Sequence, residues 1–303
     1  MSKKISNQKN SLNSKEKRLL SPKLDVVFQA LFGEVGNEKI TAKFLECILQ
    51  RKITEIELNQ NPILRRETEL DKLGILDICT KINKKEICNI EMQLANKDDF
   101  IKRIVFYWGR VYTKQIKKGE KYRKLQKTIA IIIVDFKIEH LKDLRYHSEW
   151  AIIDKGTRKV ILTEELEIHI IELPKIRETD ENSELLDWLH FIENPKSRRV
   201  IEKMKENKEL KKAVERLQEI SEDEYMQRIA ELREKAIRDE EAGRSWERKQ
   251  GITQGIGQGR KEAKREDAKK MLEKNIPVKV ISEITGLSKK EIEEIRKDVV
   301  SVV

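Results

Sequence analysis

The chain contains few of the residues that define disulfide-rich, zinc-binding or membrane proteins. It has three cysteines, Cys47, Cys79 and Cys88, without a CxxC pair, and this odd number predicts buried free thiols in a reducing compartment. The four histidines are scattered, which gives a zinc site little support. No apolar run reaches the ~18 residues of a membrane span, and the basic N-terminus lacks the apolar stretch of a signal peptide. We therefore expect a cytoplasmic protein that does not enter a membrane.

Aromatic residues are also scarce, at 5 % of the chain, whereas charged residues make up 39 %. A chain of 303 residues can bury a sizeable core, but this balance predicts one globular domain followed by long charged helices. The net charge is +10. A basic chain is compatible with nucleic acid, whose phosphates attract cations. It is equally compatible with a lysine-rich background composition, so charge alone does not identify a partner.

The most informative local pattern is a predicted hairpin over residues 75–93, with its polar turn centred on Lys84. If the two strands pair symmetrically about this turn, Asp77 lies directly opposite Glu91. Directly paired residues have Cβ atoms ~4.5–5.5 Å apart, and like charges there are destabilising. Gln93 lies two residues beyond Glu91 and therefore points to the same face. The pattern predicts a Mg²⁺ site, and its alternative is a pair of solvated acids.

Composition and hydrophobic periodicity divide the chain into four segments. These are a disordered basic arm over residues 1–20, a globular domain over 21–195, a charged helical region over 196–250, and a glycine-containing connector with a small helical unit over 251–303. Within the globular domain the predicted order is helix, three strands, a long helix, a buried strand and further strands. We therefore expect an α/β fold with a mixed central sheet flanked by helices, followed by an all-helical charged C-terminal region.

The last segment has the pattern of a helix-turn-helix, with Gly286 in the turn and Ser288 and Glu291 as a capping box. Its exposed positions mix acids with bases, namely Glu291, Glu293 and Glu294 beside Lys289, Lys290 and Arg296. A recognition helix should instead present bases and amides to the groove, so this mixture favours packing or oligomerisation over the reading of DNA sequence. We expect the C-terminal helices to form a homo-oligomer.

An aromatic and basic surface of the kind that binds nucleic acid is indicated by Tyr107, Trp108, Arg110, Tyr112 and Tyr122. Helical spacing explains Trp108 and Tyr112 equally well as core residues. Tyr122 follows Gly119, and we expect it to pack where the chain returns to the sheet.

Four segments together resemble the PD-(D/E)XK nuclease family transposases, which include the Rpn-type recombination-promoting nucleases. The segments are SPKLDVVFQALFG, the hairpin with ILDI and NIEMQ, the helix with FYWGRVYTKQIKKGEKY, and the strand TIAIIIVDF. The resemblance covers about residues 21–195. It implies a restriction-endonuclease-like core and a Mg²⁺-dependent DNA endonuclease, with Mn²⁺ able to substitute, that is associated with recombination or mobile elements.

The resemblance also assigns roles to the hairpin residues. The motif aspartate of the family falls on Asp77 and its acidic partner on Glu91, which makes both of them metal ligands. Gln93 stands where the wider superfamily usually has lysine. An amide does not titrate, so Gln93 can hydrogen-bond a water or a phosphate but cannot act as a base.

Two further residues are candidates for additional roles. Asp25 matches an early D-x-x-F-K element of the family, in which Gln29 stands at the usual lysine position. Lys81 lies on the same predicted strand face as Asp77 and is a candidate for the missing positive charge, or else a solvated lysine. Because two lysine positions carry glutamine, the alternative function is a catalytically inactive nuclease-fold protein that acts by DNA binding or as an oligomerising scaffold. The retained acid pair argues against that alternative.

Overall fold

One mixed sheet organises the first part of the chain in the computed structural model, which describes residues 18–58, 78–96, 99–179 and 181–300. Its strands are β1 (Ile56–Leu58), β2 (Ile78–Ile82), β3 (Glu86–Gln93), β4 (Lys127–Val134), β5 (His147–Ile153) and β6 (Ile161–Glu172). The order across the sheet is β1-β2-β3-β4-β6-β5. Strands β3, β4 and β6 run parallel, and the other neighbours are antiparallel.

The helices precede, interrupt and follow the sheet. They are α1 (Asp25–Phe32), α2 (Glu38–Leu49), α3 (Phe100–Thr113), α4 (Glu184–Glu193), α5 (Arg198–Lys203), α6 (Lys208–Glu222), α7 (Glu224–Glu273), α8 (Val278–Thr285) and α9 (Lys289–Val300). The described part of the chain divides into two compact units after Glu234, within α7. The predicted mixed sheet flanked by helices, followed by a helical C-terminal region, is confirmed.

Each face of the sheet packs against different helices. On one face, Phe100 and Ile104 of α3 join a core with alternate residues of β4 and β6, namely Ala130, Ile132, Val134, Ile168 and Ile170. On the other face, the end of α1 at Gly33 approaches the side chain of Ile78. There α1, α2 and α4 enclose the tilted aromatic rings of Phe32, Phe44 and Trp188. A residue on β3 therefore faces either α3 or the α1–α2 side, according to its place in the alternation.

The hairpin between β2 and β3 has the register predicted for it. Five pairs, from Ile78–Ile90 to Ile82–Glu86, are centred on Lys84. Lys84 itself has a φ of 62°, in the left-handed region that tight hairpin turns require. The symmetric register is thus confirmed for every pair that the structure describes.

The first unit continues beyond the composition change at residue 195. On α6 the buried residues recur at helical spacing and pack against α1 and α2; they are Leu210, Ala213, Val214, Leu217 and Ile220. Composition predicts a boundary of the globular domain at residue 195, and the compact unit of the structure extends to Glu234. The physical reason is that a charge-rich helix buries a whole core stripe when only one residue in three or four is apolar.

The first unit also brings its two described ends together. Arg18 Nη2 donates to both carboxylate oxygens of Glu234, at 2.9 and 3.0 Å. The backbone N–H of Leu20 donates to Ser221 Oγ at 3.0 Å. The segment that precedes α1 is therefore held against α6 and the start of α7.

The second unit is a small helical assembly formed by the end of α7, α8 and α9. Its core comprises Ala268, Ile281, Leu287, Ile292 and Ile295. The predicted capping box is confirmed, because Ser288 N–H donates to Glu291 Oε2 at 2.9 Å and Glu291 N–H donates to Ser288 Oγ at 3.3 Å. Oligomerisation through these helices stays a prediction. No described helix has the length and apolar character needed to cross a membrane.

Candidate active site on strand β3

Strand β3 carries alternating polar residues on the face that α3 covers. They are Asn89, Glu91 and Gln93, and their register partners on β4 are Ala130, Ile132 and Val134. The intervening positions Cys88, Ile90 and Met92 are apolar and buried. The β-strand period of two thus places three polar side chains in one row on an otherwise apolar face.

Glu91 is a buried carboxylate with an amide beside it. Its side chain is 6 % exposed, and its Oε1 accepts a hydrogen bond from Asn89 Nδ2 at 3.2 Å. Asn89 Oδ1 is buried and has no hydrogen-bond partner among the described residues. A buried polar atom without a partner calls for an explanation, and an ion is one of the ordinary ones. Carboxylate and carbonyl oxygens are the donors that Mg²⁺ prefers, so the donor set fits such a cation.

Gln93 lies where β3 ends and is half-buried. Its backbone carbonyl accepts a hydrogen bond from the N–H of Asp135 at 2.9 Å. The carboxylate of Asp135 in turn pairs with Lys23 Nζ at 2.6 Å. These contacts fix the backbone of Gln93 at the end of the polar row, two residues from Glu91.

Asp77 lies outside the described residues. The last described pair of the hairpin is Ile78 with Ile90, directly next to the predicted pair of Asp77 with Glu91. The opposition of these two acids stays a prediction that rests on the confirmed register.

The two additional candidates, Lys81 and Asp25, occupy different places from the polar row. Lys81 pairs with Ile87, four residues from Glu91 along β3, which corresponds to about 13 Å of strand. Asp25 belongs to α1 on the opposite face, and its Oδ1 accepts a hydrogen bond from Arg233 Nε at 3.0 Å. Direct roles for Lys81 and Asp25 in the chemistry at Glu91 stay predictions.

A second cluster of titratable residues, which is not among the site residues predicted from the sequence, lies on the opposite face of the sheet. His169 Nε2 lies 2.9 Å from Glu167 Oε1, and His169 Nδ1 lies 2.9 Å from His147 Nε2. Glu149 joins them, and donor atoms of Glu149, Glu167 and His169 lie within 4.8 Å of one another. The available signal was the alternation of Glu167 and His169 on β6; the partner strand β5 could not be aligned with it from the sequence.

The protein neutralises this second cluster internally. Burial raises the pKa of Glu167, but hydrogen bonds from His169 and Lys127 outweigh it and lower that pKa to about 2. Lys127 Nζ lies 2.5 Å from Glu167 Oε2 and already occupies the place of a cation. Burial, His169 and Arg145 together lower the pKa of His147 to about 4. Near neutral pH the cluster is thus an ion-pair network with a neutral His147.

A cavity of about 510 Å³ lies beside this network, between α2, the start of β5 and the start of α4. Its lining includes Lys43, Cys47, Arg145, His147 and Glu184. Burial and the nearby carboxylate of Glu184 raise the pKa of the Cys47 thiol to about 12. Cys47 is therefore protonated at neutral pH and is a poor nucleophile.

No curated protein and no solved structure matches the chain. The family model described as PD-(D/E)XK nuclease family transposase matches residues 22–245. The matched segment includes the sheet, the polar row on β3 and the helices up to the first half of α7. The chain belongs to the PD-(D/E)XK nuclease family transposases.

Proposed function

We propose that the protein is a DNA endonuclease that depends on Mg²⁺ or Mn²⁺ and acts in recombination or on mobile elements. Family membership supports nuclease activity in a mobile-element context. The observation that carries the proposal is the buried carboxylate of Glu91 beside the unsatisfied carbonyl oxygen of Asn89. Asp77 and Glu91 are the proposed charged ligands.

A divalent cation at this site would neutralise negative charge on the phosphate and lower the pKa of an attacking water. Glu91 contributes a carboxylate whose orientation is restrained by Asn89 Nδ2 and by burial among the side chains under α3. Asn89 Oδ1 contributes a neutral oxygen on the same face. Mg²⁺ usually takes only one or two carboxylates and keeps several waters, so two acids and one carbonyl are a sufficient set.

Gln93 is proposed to position the substrate. Its amide can donate a hydrogen bond to a phosphate oxygen or to the attacking water, and it neither gains nor loses a proton. The fixed backbone of Gln93 beside Asp135 limits how far this amide can move. In this arrangement the proton of the water passes to solvent or to a carboxylate, and Gln93 acts through geometry alone.

The presence of glutamine at the usual lysine position also motivates the alternative of a nuclease-fold protein that binds DNA without cutting it. A plasmid-nicking assay separates the two functions. We expect wild-type protein to nick or cut supercoiled DNA with Mg²⁺ or Mn²⁺ and to leave it intact with EDTA. We expect Asp77→Asn to abolish cleavage in every metal.

The matched control is Glu57→Gln, which removes an exposed carboxylate from the neighbouring strand β1. It should cleave like the wild type. Wild-type cleavage by well-folded Asp77→Asn would remove Asp77 from the site. DNA binding by wild-type protein without cleavage in any metal would establish the alternative function.

A further inference from the structure

The loop between α3 and β4, residues 114–126, concentrates positive charge on the surface of the first unit. It contains six basic residues and one acid. That acid, Glu120, accepts hydrogen bonds from Lys124 Nζ at 2.6 Å and from the N–H of Lys117 at 2.7 Å. These two bonds lower the pKa of Glu120. The single negative charge is therefore satisfied within the loop and leaves an excess of cations.

Four of these cations point to solvent without a carboxylate partner in the described part of the chain. They are Lys117, Lys118, Lys121 and Arg123, all of them exposed. Tyr122 stands among them and is 81 % exposed. The expectation that Tyr122 packs against the sheet is therefore wrong: the short 3₁₀ turn Tyr122–Lys124 directs its ring outward.

The base of the loop is tied to the sheet by side-chain hydrogen bonds. Gln115 Oε1 accepts from the N–H of Gln126 at 2.6 Å, and Gln115 Nε2 donates to the carbonyl of Gln126 at 3.0 Å. Trp108 Nε1 donates to the carbonyl of Thr128 at 2.8 Å, and its ring stacks on Tyr112. Gln126 Nε2 also donates to the carbonyl of Lys84 in the β2–β3 turn at 3.3 Å. The cations and Tyr122 are thus carried on a fixed support.

We propose that this loop binds single-stranded nucleic acid, with the four cations on phosphates and a base stacked on Tyr122. Non-specific single-strand binding combines a basic track with exposed aromatic rings in this way, because every base has a face that can stack. A surface that bound duplex DNA by charge alone would not need the exposed ring. The occupant is therefore a strand with unpaired bases.

The loop lies within a few nucleotides of Glu91, which links it to the proposed nuclease function, on which this part of the inference rests. Lys127, just after the loop, pairs with Glu86, and Ile132 pairs with Glu91. Lys127 and Ile132 are five residues apart along β4, which corresponds to about 17 Å of strand. The loop follows α3, which covers the face that carries Glu91. A strand bound to the loop could reach the polar row about five nucleotides away, at 3.4 Å per stacked nucleotide.

The test measures binding without chemistry, by fluorescence anisotropy in EDTA with a labelled oligo-dT and a duplex of the same length. We expect Lys118→Glu/Lys121→Glu to weaken oligo-dT binding about tenfold. The slope of log K against log salt should fall in magnitude by about 1.4, because about 0.7 is lost for each phosphate contact on a single strand. Tyr122→Ala should weaken oligo-dT binding about tenfold and duplex binding little, and Tyr122→Phe should restore it.

The matched control is Lys205→Glu/Lys208→Glu, which makes the same charge change at exposed lysines elsewhere in the first unit. Equal weakening by the two double variants would overturn the inference, because it would reflect net charge alone. Full oligo-dT binding by Tyr122→Ala would overturn it as well. So would a wild-type protein that binds phosphatidylglycerol vesicles but does not bind DNA. If the wild-type protein never cleaves DNA and the loop variants lose oligo-dT binding, the loop proposal stands and the nuclease proposal fails. If the wild-type protein cleaves DNA and the loop variants bind oligo-dT normally, the nuclease proposal stands and the loop proposal fails.

Discussion

Strand β3 carries one glutamate on each face of the sheet, and the two have different surroundings. Glu86 lies on the α1–α2 side and pairs with Arg51 Nη1 at 2.6 Å. Glu91 lies under α3 and receives a hydrogen bond from the amide of Asn89. An arginine compensates the charge of its partner, whereas an amide orients a carboxylate and adds a neutral oxygen donor of its own. Position in the alternation thus separates a structural acid from a candidate metal ligand.

The same contrast holds for the wider surroundings of the two glutamates. On the face of Glu86, the buried acid Glu167 has Lys127 at 2.5 Å and His169 at 2.9 Å. On the face of Glu91, the neighbouring polar positions of β3 are both amides. A dense set of titratable groups therefore does not by itself mark the reactive side of a protein.

The largest expected effect comes from making the same change on both faces. Glu91→Gln should lower the cleavage rate by more than about 100-fold, beyond what is typical for a residue that only orients a ligand. Glu86→Gln should leave cleavage per folded molecule unchanged. It should cost about 1–2 kcal/mol of stability, between the values for exposed and buried ion pairs. Plasmid nicking and urea denaturation of both variants check this. Lost cleavage in Glu86→Gln together with normal cleavage in Glu91→Gln would contradict the roles given to the two glutamates.

A smaller effect is expected from Asn89→Ala. The change removes the donor that orients Glu91 and the neutral oxygen beside it, so we expect a 10–100-fold loss of activity, as is typical for groups that support a metal ligand. Raising the Mn²⁺ concentration should recover part of the loss, because weakened metal binding is compensated by mass action. A variant with wild-type activity at low Mn²⁺ would show that Asn89 has no part in the site.

The smallest effect concerns the neutralised face and its dependence on pH. The pKa of His147 falls from 6.5 to about 4 on folding. Between these two pH values the unfolded chain therefore binds a proton at His147 that the folded protein does not. Stability contributed by a neutral His147 is therefore complete above about pH 6.5 and is lost as the pH falls toward 4. We expect His147→Gln to have a shallower decline in melting temperature between pH 7 and pH 4.5. Identical declines in the two proteins would indicate that His147 is exposed to protonation in the folded state.

Much of the fold was predictable because its signals are local. The register of the β2–β3 hairpin follows from a short turn centred on Lys84 and from the alternation of its strands. The buried strand β4 follows from an unbroken apolar run that only a sheet covered on both faces explains. Helix α6 was harder to place, because Lys and Glu dominate its composition and Leu210, Val214 and Leu217 are few in number. Their helical spacing was visible, but spacing does not tell which surface a stripe packs against.

The candidate site was predictable only in part. Glu91 and Gln93 stand out as polar residues on an apolar strand and also fall on motif positions of the family. Asn89 continues the same alternation but falls on no motif position, so the resemblance does not single it out. The pairing of His147 with His169 depends on the register of β5 with β6, which is set by tertiary packing across a loop. The exposure of Tyr122 depends on a 3₁₀ turn that has no distinct sequence signal.

The contact between Arg18 and Glu234 means that the described part of the first unit begins and ends at one place on its surface. A chain whose ends meet is topologically close to a ring, and its order of connection can be changed without changing its packing. A short linker could join residues 18 and 234, and new ends could be opened at the exposed tip between β5 and β6. Such a circular permutant would keep the sheet order β1-β2-β3-β4-β6-β5 and the polar row on β3 while its sequence began in another strand.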